Sequence, residues 1–140
     1  MVAGKENEMT KAKFLRYWSV AVGSMDALTG LLLIFVPALV LRMLGITPPA
    51  GEVLVFISWI GVFVMSVGLS YGLALGKRGW GEAVWIFTSL VRIMVAVFLT
   101  TRILDGSLAK AWALVALADA SVALVQMAIV RAKWWREVNR

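Results

Sequence analysis

The chain contains no cysteine and no histidine. Without cysteine it has no disulfide, no thiol redox chemistry and no thiolate-bound metal or cluster. Without histidine it lacks the commonest side-chain ligand for haem, zinc, copper and non-haem iron. We therefore expect no cofactor and no metal site in this protein.

Motifs for nucleophilic catalysis, phosphate binding and dinucleotide binding are also missing. The glycine-rich turn from Gly76 to Gly81 has the spacing of neither phosphate-binding motif. The net charge is +6, but most lysines and arginines lie towards the two ends of the chain. No basic face is interleaved with aromatic residues, so we expect no nucleic-acid partner.

Long apolar stretches make up most of the sequence. Hydrophobic residues account for 61% of the chain, and the mean hydropathy is +0.88, whereas soluble domains are about 45–50% apolar. Each stretch holds roughly 20 or more residues, which as a helix spans the hydrocarbon core of about 30 Å. The predicted spans are residues 17–44, 53–75, 83–102 and 109–130.

The sequence therefore predicts an all-α integral membrane protein, a four-helix bundle over residues 17–131. A polar N-terminal segment, residues 1–16, precedes the bundle as a cytoplasmic tail or a short surface helix. A basic cytoplasmic tail, residues 132–140, follows it. The first span is too long for the apolar region of a signal peptide. Pro37 lies within that span and is expected to kink it, because proline removes a backbone donor.

The distribution of basic residues predicts the orientation. Four spans place both termini on one side, together with the loop between spans two and three. Ten basic residues fall on that side and three on the other, which favours the cytoplasmic membrane with both termini in the cytoplasm. The ten are Lys5, Lys11, Lys13, Arg16, Lys77, Arg78, Arg131, Lys133, Arg136 and Arg140, and the three are Arg42, Arg102 and Lys110.

Three charged residues lie inside the spans: Asp26, Arg92 and Asp119. A charge in hydrocarbon costs about 2.5–3.5 kcal/mol on insertion scales, so such residues are rarely unpaired. All three lie about 12–17 Å from the predicted cytoplasmic edge, and a guanidinium can bind two carboxylates at once. We predict that Arg92 bridges Asp26 and Asp119.

Other polar, aromatic and small residues share faces with these charges. Ser89 and Gln126 lie within a helical turn or two of Arg92 and Asp119, and Trp85 and Trp112 lie seven residues before them. We include these four as candidate ligand-binding or ion-pair residues, with both tryptophans as walls of a cavity or as core. In span two, Gly68 and Gly72 match a close-packing motif of membrane helices.

The pattern resembles small bacterial four-span proteins. The residues that carry the resemblance are Asp26–Leu32 (DALTGLL), Pro37, Leu44-Gly45, Ser89–Arg92 (SLVR) and Ala118–Ala120 (ADA). The architecture is also similar to DoxX-like proteins and, more distantly, to the EXPERA sterol-isomerase group, over residues 17–131. The similarity to DoxX-like proteins implies a membrane subunit or accessory protein. The similarity to EXPERA proteins implies a membrane cavity with acidic residues that binds sterol-like ligands. The acidic motif of that group is not matched residue by residue in this chain.

Several functions are compatible with this pattern. The buried charges can be purely structural, can line a ligand pocket or can form an ion or proton path. We favour a non-enzymatic bundle that binds a membrane lipid, an apolar small molecule, or a membrane-protein partner or second copy. One alternative is an isomerase-like enzyme with Asp26 or Asp119 as acid or base, against which Arg92 argues because a nearby cation favours the ionised carboxylate. A proton- or cation-coupled transporter is the other, and it needs Asp26 to be unpaired.

Overall fold

Helices form nearly all of this protein. The computed structural model describes residues 2–76 and 79–138, with side chains from Glu6 onwards. Lys77, Arg78 and Arg140 of the predicted charge bias lie outside the described residues. No strand occurs in the two described ranges, which confirms the all-α class. The helices are α1 (Val2–Phe35), α2 (Pro37–Met43), α3 (Glu52–Ala74), α4 (Gly81–Leu104), α5 (Ala113–Arg131) and α6 (Trp134–Val138); a 3-10 turn (Lys110–Trp112) leads into α5.

Four of these segments are long and apolar enough to cross a membrane. They are Glu6–Phe35, Glu52–Ala74, Gly81–Leu104 and Lys110–Arg131. Large apolar side chains cover the outer surface of the bundle. Their exposure would be unfavourable in water, but it is favourable where the surface faces lipid. Examples are Phe56, Phe63, Phe87, Phe98, Leu117 and Leu124.

The first span begins earlier than predicted, and its far end breaks at proline as predicted. The polar segment of residues 1–16 is no separate element, because α1 begins at Val2 and continues without interruption to Phe35. At about 1.5 Å per residue a helix of this length exceeds the hydrocarbon core, so its polar first turns extend beyond the bilayer. The predicted kink at Pro37 is confirmed, because Val36 leaves helical geometry. Pro37 is the first residue of α2, where a backbone N–H would have no partner within the helix, so proline is tolerated there.

Helices α1 and α3 pack at backbone contact through two pairs of glycines. A Cβ atom on Gly30 would lie 2.4 Å from the backbone nitrogen of Met65 and 2.6 Å from the carbonyl oxygen of Gly61. One on Gly68 would lie 2.4 Å from the backbone nitrogen of Ala27 and 2.7 Å from the carbonyl oxygen of Gly23. Small residues allow such an approach between membrane helices, and on each helix the two glycines are seven residues apart.

The packing motif predicted at Gly68 and Gly72 is therefore half wrong. Gly68 is buried against α1, but nothing lies within 4 Å of a Cβ atom on Gly72, which faces outwards. The glycine that shares the α1 interface with Gly68 is Gly61. Two glycines four residues apart lie on the same face of a helix, one turn from each other, and the crossing of the partner helix decides which of them it covers.

The bundle consists of two antiparallel pairs, α1 with α3 and α4 with α5, and α3 also packs against α4. The backbones of α1 and α4 do not approach closely, and long side chains cross the space between the two pairs. The largest fully buried side chains in the described ranges are Trp85 and Tyr71, and Gln126, Thr88, Ser19 and Ser89 are buried beside them. The centre of the bundle is thus polar, and the candidate site lies within it.

Candidate functional site

Arg92 forms a two-sided ion pair in the middle of the bundle. Its Nη2 donates to Oδ2 of Asp26, and its Nη1 donates to Oδ1 of Asp119. The side chains of Arg92, Asp26 and Asp119 are 5%, 9% and 18% exposed, respectively. This arrangement, called the Arg92 cluster below, links α4 to both α1 and α5 and confirms the predicted bridge.

Gln126 is the centre of a second polar group, which joins three helices. Ser89 Oγ donates to Gln126 Oε1 over 3.0 Å, and Gln126 Nε2 donates to the hydroxyl oxygen of Tyr71 over 2.7 Å. Ser89 and Gln126 are completely buried, and Tyr71 is 1% exposed. Buried polar groups stabilise a core only when they are satisfied in this way. The predicted site residues Ser89 and Gln126 therefore lie together, adjacent to the Arg92 cluster.

Tyr71 was missed by the sequence reading. It is a tyrosine inside an apolar span, three residues after Gly68, and so it lies on the same face as the buried glycines of α3. A hydroxyl on the packed face of a membrane helix needs a partner in the bundle. That combination of position and chemistry is the signal that marks it.

Trp85 is core rather than the wall of an open cavity. It is 0% exposed, and its Nε1 donates to Ser19 Oγ across the gap between α4 and α1, over 3.0 Å. Its ring packs edge-on against that of Trp135, with centroids 5.3 Å apart. Ser19, which the sequence analysis also missed, provides the acceptor that an indole N–H needs in a dry core.

Trp112 is the one predicted site residue that the fold places apart. It ends the 3-10 turn before α5 and is half-buried. Because α4 and α5 are antiparallel, Trp85 near the start of α4 and Trp112 before the start of α5 lie at opposite ends of the bundle. The expectation that these two tryptophans wall one cavity is wrong for this reason.

An apolar groove runs between α4 and α5 and has a volume of about 520 Å³. Its lining is rich in alanine, because alanine side chains are too short to fill the space between two neighbouring helices. The lining includes Ala96, Thr100, Leu104, Ala113, Ala116 and Ala120. Ala96 is one turn beyond Arg92, and Ala116 and Ala120 flank Asp119 in sequence, but Arg92 and Asp119 themselves do not line this α4/α5 groove.

At the opposite end of the bundle the C-terminal segment is part of the packed structure. Trp135 is 7% exposed. Lys11 Nζ binds Glu137 Oε2 over 2.6 Å, and Arg136 Nη2 binds Glu82 Oε1 over 3.1 Å. The hydrogen bond and charge of Glu82 raise the pKa of Arg136 above its usual value. The predicted cytoplasmic tail of residues 132–140 is therefore, up to residue 138, a short turn and helix fastened to α1 and α4.

Three buried donors have no hydrogen-bond partner among the described residues: Arg92 Nε, Trp18 Nε1 and Trp135 Nε1. No group of three or more histidine, cysteine, aspartate or glutamate side chains gathers as a metal site in the described ranges. The polar groups that gather in the centre of the bundle are carboxylate, guanidinium, amide and hydroxyl groups.

Comparisons with models of known protein families, with curated proteins and with solved structures give no match for this chain. The resemblance to DoxX-like and EXPERA proteins therefore stays a prediction from short sequence motifs.

Proposed function

We propose that this chain is an integral protein of the cytoplasmic membrane, with both termini in the cytoplasm, that binds a lipid-like, largely apolar molecule in the α4/α5 groove. The observation that carries the proposal is the groove itself. Its volume of about 520 Å³ falls in the range of about 300–1,000 Å³ that is usual for small-molecule sites. Its lining is apolar apart from the hydroxyl groups of Thr100 and Thr101, and the walls of such sites are usually predominantly apolar.

The groove is placed where a molecule dissolved in the bilayer can enter it. Leu117 and Val97 line it and are 66% and 58% exposed on the outer surface of the bundle. The lining on α4 runs from Ala96 to Leu104, which is nine residues and about 12 Å along the helix. That length suits an alkyl or isoprenoid segment or a small ring system.

The pairing of both acids favours binding over proton transfer. A coupled transporter of the kind considered above needs Asp26 to be unpaired, whereas Arg92 binds Asp26 as well as Asp119. The same two bonds occupy both candidate acid–base groups of the enzyme hypothesis.

The test is photolabelling in proteoliposomes with a long-chain alkyl diazirine, followed by peptide mapping. We expect labels to concentrate on the facing segments 96–104 and 113–120. Ala120→Leu should fill the groove and remove most of that labelling. Ala118→Leu is the matched control, since Ala118 is an exposed alanine two residues away that does not line the groove.

Labelling spread evenly over the outer surface, or reduced equally by the two variants, would contradict the proposal. A helix of another protein or of a second copy is the competing occupant. With a photocrosslinking amino acid in place of Leu117, which lines the groove, it would appear as a crosslink between two polypeptides, lost in Ala120→Leu, while the alkyl diazirine would give no saturable labelling.

A further inference from the structure

The α4/α5 groove lies entirely in one half of the bundle. On α4 its lining comes from the last nine residues of a 24-residue helix, residues 96–104. On α5 the lining begins at the first residue, Ala113, and ends at Ala120, which is near the middle of the span Lys110–Arg131. The groove therefore starts near the middle of the membrane and ends at the α4–α5 connection, on the side of Ser107.

The length of the groove matches one leaflet of a bilayer. Nine residues of helix extend about 12 Å, and half of the hydrocarbon core is about 15 Å thick. A molecule that fills the groove is therefore about as long as a lipid chain within a single leaflet. A molecule that extended through both leaflets would continue past Ala96 and Ala120, where the lining stops.

The lining is least polar at its inner end. That end is formed by Ala96 and Ala120, whereas the polar side chains of the lining are those of Thr100 and Thr101, about one helical turn nearer to the α4–α5 connection. A polar head group at the inner end would lie in hydrocarbon beside alanine methyl groups, without a side-chain partner in the lining. Such burial of an unpaired polar group is costly.

The opposite end of the groove opens at the membrane surface. Leu104, the last lining residue of α4, is 81% exposed. The segment that follows carries the exposed ion pair of Arg102 with Asp105 and the exposed Ser107, and charged side chains of this kind lie in water or among lipid head groups. A head group at this end would remain hydrated while its chain entered the groove.

We infer that the groove binds the hydrocarbon chain of an amphiphilic lipid from one leaflet, with the head group at the surface beside the α4–α5 connection and the chain end near Ala96 and Ala120. This inference rests on the function proposed above and specifies its ligand class. No charged side chain is among the described residues that line the groove, so its contacts are with the chain rather than the head group. In the orientation proposed above, the lipid belongs to the outer leaflet.

The experiment uses two photoactivatable phosphatidylcholines that differ only in the position of a diazirine, next to the ester carbonyl or next to the terminal methyl group of the chain. The Ser107→Cys protein is reconstituted at a ratio at which most vesicles hold a single molecule. Vesicles whose introduced thiol reacts with an impermeant biotin maleimide are captured, and the others hold the inverted orientation. Each probe is exchanged into the external leaflet only, the vesicles are illuminated at once, and labelled residues are mapped by mass spectrometry.

In the captured vesicles we expect the carbonyl-side probe to label residues near Leu104 and Ala113. The methyl-side probe should label residues near Ala96 and Ala120. In the inverted vesicles both labels on the groove should be lost, because the probe leaflet then surrounds the other half of the bundle. Ala120→Leu should remove the methyl-side label by filling the inner end, whereas Ala118→Leu, at an exposed alanine outside the lining, should keep both labels.

Equal labelling of the groove from both leaflets, or the reverse order of the two probes along it, would overturn the inference and leave the proposed function intact, since the groove would still be occupied. If neither probe labelled the groove while the alkyl diazirine did, the inference would fail in the same way. Absence of groove labelling by all three reagents would instead remove the proposed function. The comparison of captured with inverted vesicles decides the question even if Ala120→Leu does not fold.

Discussion

Trp135 packs edge-on against Trp85, with the two ring planes at 83° and their centroids 5.3 Å apart. Trp135 comes after the last membrane span, yet its ring enters the core between α4 and the N-terminal part of α1. Gly81, the first residue of α4, makes room for it: a Cβ atom there would lie 2.2 Å from the indole ring. One glycine thus allows the C-terminal segment to close the end of the bundle.

Gly81→Ala should therefore destabilise the protein by about 1–3 kcal/mol, the usual cost of overpacking. The added methyl group must displace the Trp135 ring, which is wedged against Trp85 and cannot retreat freely. The free energy of unfolding in detergent measures the effect. Gly76→Ala is the control, because a Cβ atom there would have its closest contact at an ordinary 3.4 Å; equal losses in the two variants would contradict the prediction.

Gly30→Ala should disrupt the closest helix contact in the described structure. Its new methyl group would meet backbone atoms of Met65 and Gly61 at 2.4–2.7 Å, and backbone cannot move aside as a flexible side chain can. The helices must separate, so we expect a loss of about 1–3 kcal/mol or more in unfolding free energy.

Gly72→Ala is the matched control for Gly30→Ala. Both positions are glycines within long helices, but Gly72 faces open space. Alanine is a better helix former than glycine by about 1 kcal/mol, so Gly72→Ala should be neutral or stabilising. The prediction is that Gly30→Ala lowers the free energy of unfolding and Gly72→Ala does not; a loss of similar size at Gly72 would show that α3 packs there too.

The sequence allowed the Arg92 cluster to be predicted because cost and depth act together. Each of the three charges would carry a large free-energy cost if it were unpaired in an apolar span. Because all three lie at the same depth, Arg92 can reach both Asp26 and Asp119. Pro37 was equally predictable, since its effect on backbone geometry is local. Periodicity identified which faces of the helices are small or polar.

Periodicity did not identify which helix each face meets. Gly61 and Gly72 are equally plausible partners for Gly68 in sequence, and only the crossing of α1 over α3 buries the first and leaves the second open. Trp135 follows the last apolar span, a position where tryptophan is typical of a membrane interface. Its place in the core depends on a turn at Lys133, where φ is +61°, and on Gly81, more than fifty residues earlier in the chain.

Single-cysteine labelling should place the two connecting segments on opposite sides of the membrane. The chain has no native cysteine, so Gly79→Cys and Ser107→Cys each introduce one reactive thiol, both at exposed positions. With both termini in the cytoplasm, a membrane-impermeant maleimide added to intact cells should label Ser107→Cys and spare Gly79→Cys until the cells are opened. The reverse pattern would show that the proposed orientation is inverted.

Arg92→Leu should be the most damaging single substitution in the polar centre. It leaves Asp26 and Asp119 buried without their cation, and removing one partner of a buried pair costs about 3–5 kcal/mol. The unfolding free energy in detergent or bicelles measures the loss. Arg102→Leu is the control, because Arg102 is half-exposed and its pairing with Asp105 at 3.2 Å is a surface contact of about 0–1 kcal/mol.

The triple variant Arg92→Leu, Asp26→Asn and Asp119→Asn separates the cost of unpaired charge from the value of the bridge. With all three charges gone, no ion remains to be solvated in the core, and neutral replacements of buried ion pairs are often tolerated. We expect the triple variant to regain most of the stability lost in Arg92→Leu. If it were no more stable than Arg92→Leu alone, the damage would come from lost contacts of the Arg92 side chain with α1 and α5, and not from the unpaired carboxylates.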